Sequence, residues 1–283
     1  MIDFLYLLTI IVFVSGQSIV RKVYTQKTDG KGVLFYNAVT AFFAMAFFLA
    51  TATDLKIDYA LIPYSIAFSV SFFVTVIFMD LAIANGPLSL TSLFTSFSLL
   101  LPTAYGIIAL KDPIGDGLLP GLALLALSIL LVNYKNEDGK LSWKWIVYVL
   151  LSFVGNGMCS VTQKIQQIDF NGAYKNEFMV LAFGIASAPL FLGSVLTERR
   201  NMKHYAKAGG IVAPACGLMV GTVNLLVMVL SEAMPVSLMF PLISAGGILL
   251  TFFISSLLYK ERFSKLQYIG LLAGVASVIL LNI

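Results

Sequence analysis

The chain of 283 residues is strongly apolar: 59% of its residues are hydrophobic, only 11% are charged, and the mean hydropathy is +0.93. Too few polar residues remain to coat a soluble globule, so the composition excludes a soluble protein and indicates an integral membrane protein. The formal net charge is +4. The basic residues lie mainly in loops between apolar segments, which accounts for the charge without a nucleic-acid partner.

Ten apolar segments of membrane-spanning length follow one another along the chain. They cover about residues 4–20, 33–52, 60–84, 88–110, 117–133, 145–163, 176–196, 209–231, 235–258 and 267–283, called segments 1 to 10. The sequence therefore predicts an all-α integral membrane fold with ten transmembrane helices. Segment 1 carries Asp3 and lacks a positive n-region, so we expect it to be retained as a helix and not cleaved as a signal peptide.

The second half of the chain repeats the first. Positions that match at an offset of 149 residues are Lys111 and Lys260, Gly121 and Gly270, Ser128 and Ser277, and Asn133 and Asn282. A unit of five segments ends on the opposite side of the membrane from where it begins. The sequence therefore predicts two inverted five-helix repeats, residues 1–138 and 139–283, related by a pseudo-two-fold axis in the membrane plane.

Inverted repeats favour a transport function, because each half can adopt the conformation of the other and so open a shared site to either side. We expect a secondary transporter that moves a small polar or amphipathic metabolite across the cytoplasmic membrane by alternating access. A lipid flippase, a channel-like permease and a membrane scaffold without transport activity are the alternatives that this pattern leaves open.

The turns and closing helices of the two repeats resemble a known family. Each repeat has an acidic turn, Lys111-Asp112-Pro113 or Lys260-Glu261-Arg262, followed by a closing helix that opens Gly-Leu, carries a central Ser and ends in Asn, at 121–133 and 270–282. These features resemble the ten-helix EamA-like branch of the drug/metabolite transporter superfamily. The resemblance spans the whole chain and implies transport of amino acids, amines, nucleobase-like or other small metabolites, often outward. Segment 1 has no acidic residue after Asp3, which departs from the embedded glutamate of small multidrug members.

The basic residues predict an orientation. Loops after segments 1, 5, 7 and 9 carry 14 of the 18 Lys and Arg residues, since the other four are Lys56, Lys111, Lys164 and Lys175. This distribution places those loops in the cytoplasm and both termini outside. The family resemblance implies the opposite, with both termini in the cytoplasm, so the orientation stays open.

Polar and aromatic side chains on segments 4 and 9 are the first candidate ligands for a substrate. Ser92 and Ser96 lie at helical spacing on segment 4, and Ser244 lies on the corresponding polar face of segment 9. Tyr105 and Phe240 on the same two segments could contact an organic cation through their ring faces. Small hydroxyl residues also let helices pack closely, and both interpretations remain open.

Amides inside the other segments are the second group of candidates. They are Gln17 on segment 1, Asn37 on segment 2, Asn156 on segment 6 and Asn224 on segment 8, and Ser160 accompanies Asn156. An amide in hydrocarbon must find a hydrogen-bonding partner, so we expect these side chains to face the bundle interior. Contact with a substrate and hydrogen bonds between helices are equally consistent with that position.

Ionisable residues within the segments are the candidates for coupling. Asp80 precedes about one further turn of apolar helix and is the first choice, and Lys164 is the second. Both lie close enough to a segment end to reach the lipid headgroups instead.

Two glycine pairs permit close approach of helices: Gly217 with Gly221 on segment 8, and Gly270 with Gly274 on segment 10. The second pair could serve packing within a monomer or a homodimer.

Enzymatic chemistry is not expected. The single histidine, His204, lies in a basic loop, and the two cysteines, Cys159 and Cys216, lie in separate segments, so neither a metal site nor a structural disulfide is indicated. The sequence has no phosphate-binding Gly-Lys-Ser/Thr motif, and we expect no cofactor.

Overall fold

The structure of the protein is a computed structural model that describes residues 2–56, 58–85, 97–132, 142–259 and 264–280. Within these ranges the chain is helical and contains no β-strand. The α-helices are α1 Ile2–Thr28, α2 Val33–Thr51, α3 Ile62–Asn85, α4 Leu100–Ile108, α5 Leu118–Val132, α6 Trp143–Asp169, α7 Lys175–Thr197, α8 Met202–Gly209, α9 Val212–Ala233, α10 Val236–Tyr259 and α11 Lys265–Leu280. Two 3₁₀ helices, Tyr59–Leu61 and Arg199–Asn201, precede α3 and α8.

Six of the described helices are long and apolar enough to cross a membrane, namely α1, α2, α3, α6, α7 and α9. This confirms the expectation of an all-α, multi-pass membrane protein. The finer count of ten spans remains a prediction. Residues 86–96 of segment 4 lie outside the described residues, as do Lys260 of the second acidic turn and the closing Asn133 and Asn282.

Helices α1 and α6 continue beyond the apolar segments from which they were predicted, to Thr28 and Asp169. Each ends at a pair of residues in the left-handed region: Asp29 and Gly30 have φ of 50° and 74°, and Asn171 and Gly172 have φ of 49° and 76°. The Gly30 amide donates to Thr25 O and the Gly172 amide to Gln167 O, at 3.0 and 2.8 Å. These six-to-one bonds are the usual C-terminal stop of a helix, so an Asp-Gly and an Asn-Gly pair define the two ends.

The first compact unit consists of Met1–Phe73 and Thr162–Glu232. In it α2 packs along α7 in antiparallel fashion. At one end, Glu198 just after α7 accepts hydrogen bonds from the amides of Leu34 and Phe35 in the first turn of α2, at 3.1 and 2.8 Å. At the other end, Glu177 in the first turn of α7 accepts from the Lys56 amide, at 3.4 Å.

Glycines bring α9 against α2 in this unit. A Cβ on Gly217 would lie 2.6 Å from Thr40 O and from Phe43 Cβ, and one on Gly221 would lie 2.6 Å from the Phe47 ring. The predicted close approach of the Gly217 and Gly221 helix is thus confirmed, and its partner is α2. Only a hydrogen in place of a side chain leaves room for the two backbones.

The second compact unit consists of Val74–Val161 and Ala233–Ile283. Here α5 packs against α11 and α4 against α10. The Ser277 hydroxyl on α11 donates to Gly121 O at the start of α5, at 2.8 Å, and Gly274 lies against Ser128 further along α5. The residue numbers therefore run in opposite directions along the two helices, which makes the pair antiparallel.

Each compact unit draws on both halves of the chain. The units are packing units, and they do not test the division of the sequence into repeats 1–138 and 139–283, which stays a prediction.

Candidate functional site

A band of polar side chains lies between α6 and α9 in the first compact unit. On α6, Gln163, Gln166 and Gln167 are at most 4% exposed. Gln163 Nε2 donates to Asn224 Oδ1 on α9 at 2.7 Å, and Asn224 Nδ2 donates to Val220 O at 2.8 Å. The spacing of the glutamines puts them on one face of α6, so the polar band follows from the helical period.

Gln167 occupies an unusual place in this band. Its Nε2 donates to Gln166 Oε1 and also lies 3.8 Å from Met228 Sδ, whereas its Oε1 is buried with no hydrogen-bond partner. Buried side-chain polar atoms are nearly always paired, and one that is not suggests an additional interaction. Among the described residues, the Gln167 carbonyl oxygen is therefore an available acceptor in the last turn of α6.

Lys164 lies on α6 next to Gln163 and is half-buried. Its Nζ donates to Ser231 O on α9 at 2.5 Å. Ser231 belongs to the last turn of α9, where carbonyl oxygens lack a partner within the helix and the helix dipole is negative. Lys164 thereby stabilises the end of α9 electrostatically, and its ammonium adds positive charge next to the amides.

Helix α1 contacts α9 in the same unit. A Cβ on Gly16 would lie 3.2 Å from Met219 Sδ. The adjacent Gln17 is half-buried, and its Nε2 is a buried donor without a partner. Gln17 and Gln167 thus supply one unpaired donor and one unpaired acceptor on two helices that both contact α9.

Asn37 has a different environment. It is 2% exposed in the first turn of α2, accepts from Arg21 Nη2 at 3.2 Å and donates to Val33 O at 2.9 Å. The Arg21 guanidinium also lies 5.9 Å from the centre of the Tyr36 ring. These contacts are satisfied within the chain, so Asn37 holds α1 against α2.

An ion pair next to the polar band joins the start of α7 to the end of α9. Lys175 Nζ lies 2.6 Å from Glu232 Oε1 and also donates to Gly172 O. The Glu232 carboxylate lies so close to Gly172 that a Cβ there would meet it at 2.5 Å. The turn between α6 and α7 is therefore tied to the end of α9.

The candidates in the second compact unit are packed closely. Asn156 on α6 donates to Ser98 Oγ at 2.5 Å, and Ser98 is fully buried. Phe240 and Ser244 on α10 are 4% and 8% exposed, and Tyr105 on α4 is half-buried. Ser244 lines a cavity of about 10 Å³, beside Phe97, Leu125 and Pro241. A volume of that size holds about one water molecule and no metabolite.

Ser160 on α6 and Asp80 near the end of α3 are both half-buried in this unit. Ser92 and Ser96 lie outside the described residues. Gly274 packs within the chain, against Ser128 Oγ and Leu249, at 2.8 and 3.1 Å from a Cβ built on it. A homodimer across Gly270 and Gly274 stays a prediction. Among the described residues, no group of three or more His, Cys, Asp and Glu side chains could hold a metal ion.

Of the sequence-based candidates, the structure brings Asn224 and Lys164 into one polar band and places Gln17 on a helix that contacts the same α9. Gln166 and Gln167 are not among the residues predicted from the sequence. Their signal was present: Gln163, Gln166 and Gln167 are spaced by three and four residues, the pattern of one helical face.

Comparisons with known proteins define the fold alone. No family model matches the chain, and no curated protein matches it. A solved crystal structure of another protein has the same fold, with a TM-score of 0.79. The sequence identity is 14%, and the match covers 98% of this chain and 95% of the other chain.

Proposed function

We propose that this protein is a secondary transporter of the cytoplasmic membrane. It belongs, on this proposal, with the EamA-like drug/metabolite transporters and moves a small polar or amphipathic metabolite by alternating access. The observation that carries the proposal is the buried polar band on α6 and α9, with the unpaired Gln167 Oε1 in the last turn of α6. A buried polar atom without a partner is costly, and a substrate that supplies a donor would remove that cost.

The pairing of helices supports two inverted repeats. The helix pairs α2 with α7, α4 with α10, and α5 with α11 correspond to segments 2 and 7, 4 and 9, and 5 and 10. Each pair joins the same position in the two proposed repeats. Helices beside a two-fold axis contact their own equivalents, as in any isologous interface. The antiparallel direction of α2 with α7 and of α5 with α11 is the one that an axis in the membrane plane requires.

The available groups of the polar band can bind a small polar molecule. Gln167 Oε1 can accept, and the Lys164 ammonium favours a negative or electron-rich group. Gln163 and Asn224 are hydrogen-bonded to each other and hold this face of α6 against α9. The Gln167 carbonyl oxygen is the part of this set that a substrate would complete, because it has no partner among the described residues.

Counterflow in proteoliposomes tests the proposal. Amino acids, amines and nucleobases are first screened for a rise in the melting temperature of the purified protein, and the strongest hit is radiolabelled. We expect saturable uptake that is accelerated when unlabelled compound is loaded inside the liposomes. Uptake that shows no counterflow would indicate a channel, and movement of labelled phospholipid without metabolite uptake would indicate a flippase; either result contradicts the proposal.

A substitution in the polar band tests whether Gln167 belongs to the substrate site. Gln167→Leu keeps about the same side-chain size and removes the buried, unpaired carbonyl, but it also removes the donor to Gln166 Oε1, so we expect the melting temperature to fall by only a few degrees. Counterflow should fall at least tenfold, since the substrate loses an acceptor. Lys144→Gln, at the exposed start of the same helix, is the matched control and should transport normally. Normal transport by Gln167→Leu would remove this residue from the substrate site.

A further inference from the structure

A basic surface connects two membrane-spanning helices in the first compact unit. Between α7 and α9 the chain forms the 3₁₀ helix Arg199–Asn201 and the short helix α8, Met202–Gly209. We call residues 199–209 the basic elbow. Its charged side chains, which are all exposed, are Arg199, Arg200, Lys203 and Lys207, with His204 among them.

One side of the basic elbow packs against the protein, and the other side is exposed. Tyr205 is 5% exposed, and a Cβ on Gly32 would lie 2.6 Å from its ring, so the ring lies directly on the turn between α1 and α2. Ala208 joins the core cluster of Tyr24 and Tyr36. The buried side of α8 therefore fixes its orientation, and the basic side chains project away from the helices.

No carboxylate neutralises the elbow within the part of the chain that is described. The acidic residue next to it, Glu198, is engaged by the amides of Leu34 and Phe35 and by the Ser194 hydroxyl. The adjoining turn adds exposed Lys27 and Lys31, against one exposed acid, Asp29. Six basic side chains thus share a surface whose net charge is strongly positive.

Apolar side chains flank the charges. Leu196 in the last turn of α7 is 73% exposed, and Ile211 just after the elbow is 86% exposed. Large apolar groups beside a row of Lys and Arg, at the ends of two membrane-spanning helices, are typical of a segment at the boundary between headgroups and acyl chains.

We propose that the basic elbow is a binding site for anionic phospholipid headgroups. Arg199, Arg200, Lys203 and Lys207 hold the phosphates, and Leu196 and Ile211 contact the first methylene groups of the chains. Attraction of a basic side chain to an anionic lipid surface is equivalent to roughly a fivefold gain in affinity for each residue. The site is independent of the transported molecule.

The test uses the full chain in detergent micelles, titrated with dioleoyl phosphatidylglycerol or with dioleoyl phosphatidylcholine, while the melting temperature is followed. We expect the anionic lipid to raise the melting temperature at a lower concentration than the zwitterionic lipid. Salt at about 0.5 M should reduce the difference, because exposed charges are then screened. Equal effects of the two lipids would overturn the proposal.

Variants locate the site. Arg199→Gln with Lys203→Gln should weaken the apparent affinity for phosphatidylglycerol by about 25-fold. The charge-preserving pair Arg199→Lys with Lys203→Arg should keep most of it. Lys56→Gln with Lys111→Gln removes two exposed lysines elsewhere and is the matched control. Loss of the lipid effect in the control pair, or its retention in the neutral elbow variant, would contradict the assignment.

Inorganic phosphate separates a lipid site from a general anion site. If inorganic phosphate, at the highest concentration used for the lipid, raised the melting temperature as far as phosphatidylglycerol does, the headgroup assignment would be wrong. We expect no shift with phosphate alone, because the apolar flanks contribute only when acyl chains are present.

Discussion

Residues within the polar band differ in whether their hydrogen-bonding capacity is met. Gln163 and Asn224 bond each other at 2.7 Å, whereas Gln167 Oε1 has no partner among the described residues. A satisfied pair joins α6 to α9, and an unsatisfied group is available to something outside the chain. Sequence patterns do not distinguish a paired amide from an unpaired one, whereas the structure gives these side chains two distinct roles.

A double-mutant cycle tests the structural role of the Gln163 and Asn224 pair. Asn224→Leu leaves the buried Gln163 amide unpaired and should lower the free energy of unfolding by about 1–2 kcal/mol. Gln163→Leu combined with Asn224→Leu removes both polar groups and should recover most of that loss. Chemical denaturation in detergent measures the four proteins. Additive losses in the double variant would show that the two amides do not act as a pair.

Elements are held together by small residues where helices cross. Gly217 and Gly221 place α9 against α2, and α2 in turn packs along α7 with a carboxylate at each end. The contact at Gly217 involves a backbone oxygen, Thr40 O, which has no side-chain freedom with which to move aside. Close packing at this point therefore depends on the absence of a Cβ.

Gly217→Ala should destabilise the protein by about 1–3 kcal/mol, because its Cβ would lie 2.6 Å from Thr40 O and the helices would have to separate. Gly193→Ala on α7 is the matched control, since its Cβ would lie 3.4 Å from the flexible Leu34 side chain. We expect the control to be neutral or slightly stabilising, owing to the higher helix propensity of alanine. Thermal unfolding of both variants measures the difference, and equal melting temperatures would contradict the packing argument.

The whole molecule carries an asymmetric distribution of charge. Of its 18 Lys and Arg residues, 14 fall in the loops after segments 1, 5, 7 and 9. The basic elbow is the densest part of that set. The positive-inside rule predicts that this side faces the cytoplasm and that both termini lie outside.

Labelling of single cysteines decides the orientation. The two native cysteines, Cys159 and Cys216, are free and buried, so their background reaction should be low. Leu55→Cys after α2 and Lys203→Cys in the elbow are exposed positions that the charge rule puts on opposite sides of the membrane. A membrane-impermeant maleimide added to intact cells should label Leu55→Cys and leave Lys203→Cys unlabelled. The reverse pattern would show that the termini are cytoplasmic, as the family resemblance implies.

Much of the fold could be predicted because the relevant signals are local. Runs of apolar residues predict membrane-spanning helices, and the pairs Asp29-Gly30 and Asn171-Gly172 carry the signals that end α1 and α6. The elbow could not be predicted as a helix from its charge, because its eight-residue helix depends on Tyr205 packing against Gly32. A short polar helix has little stability without such a contact.

The candidate site, like the fold, could be predicted from the sequence only in part. The amino-acid sequence by itself determined the membrane class, the positions of most helices and the presence of amides inside them, since these depend on composition and period. Only the tertiary structure decided which amides are paired, that Lys164 reaches Ser231 O, and that Ser244 borders a cavity too small for a metabolite. Gln163 and Asn224 are 61 positions apart in the chain, and a hydrogen bond between them exists only because α6 and α9 pack side by side.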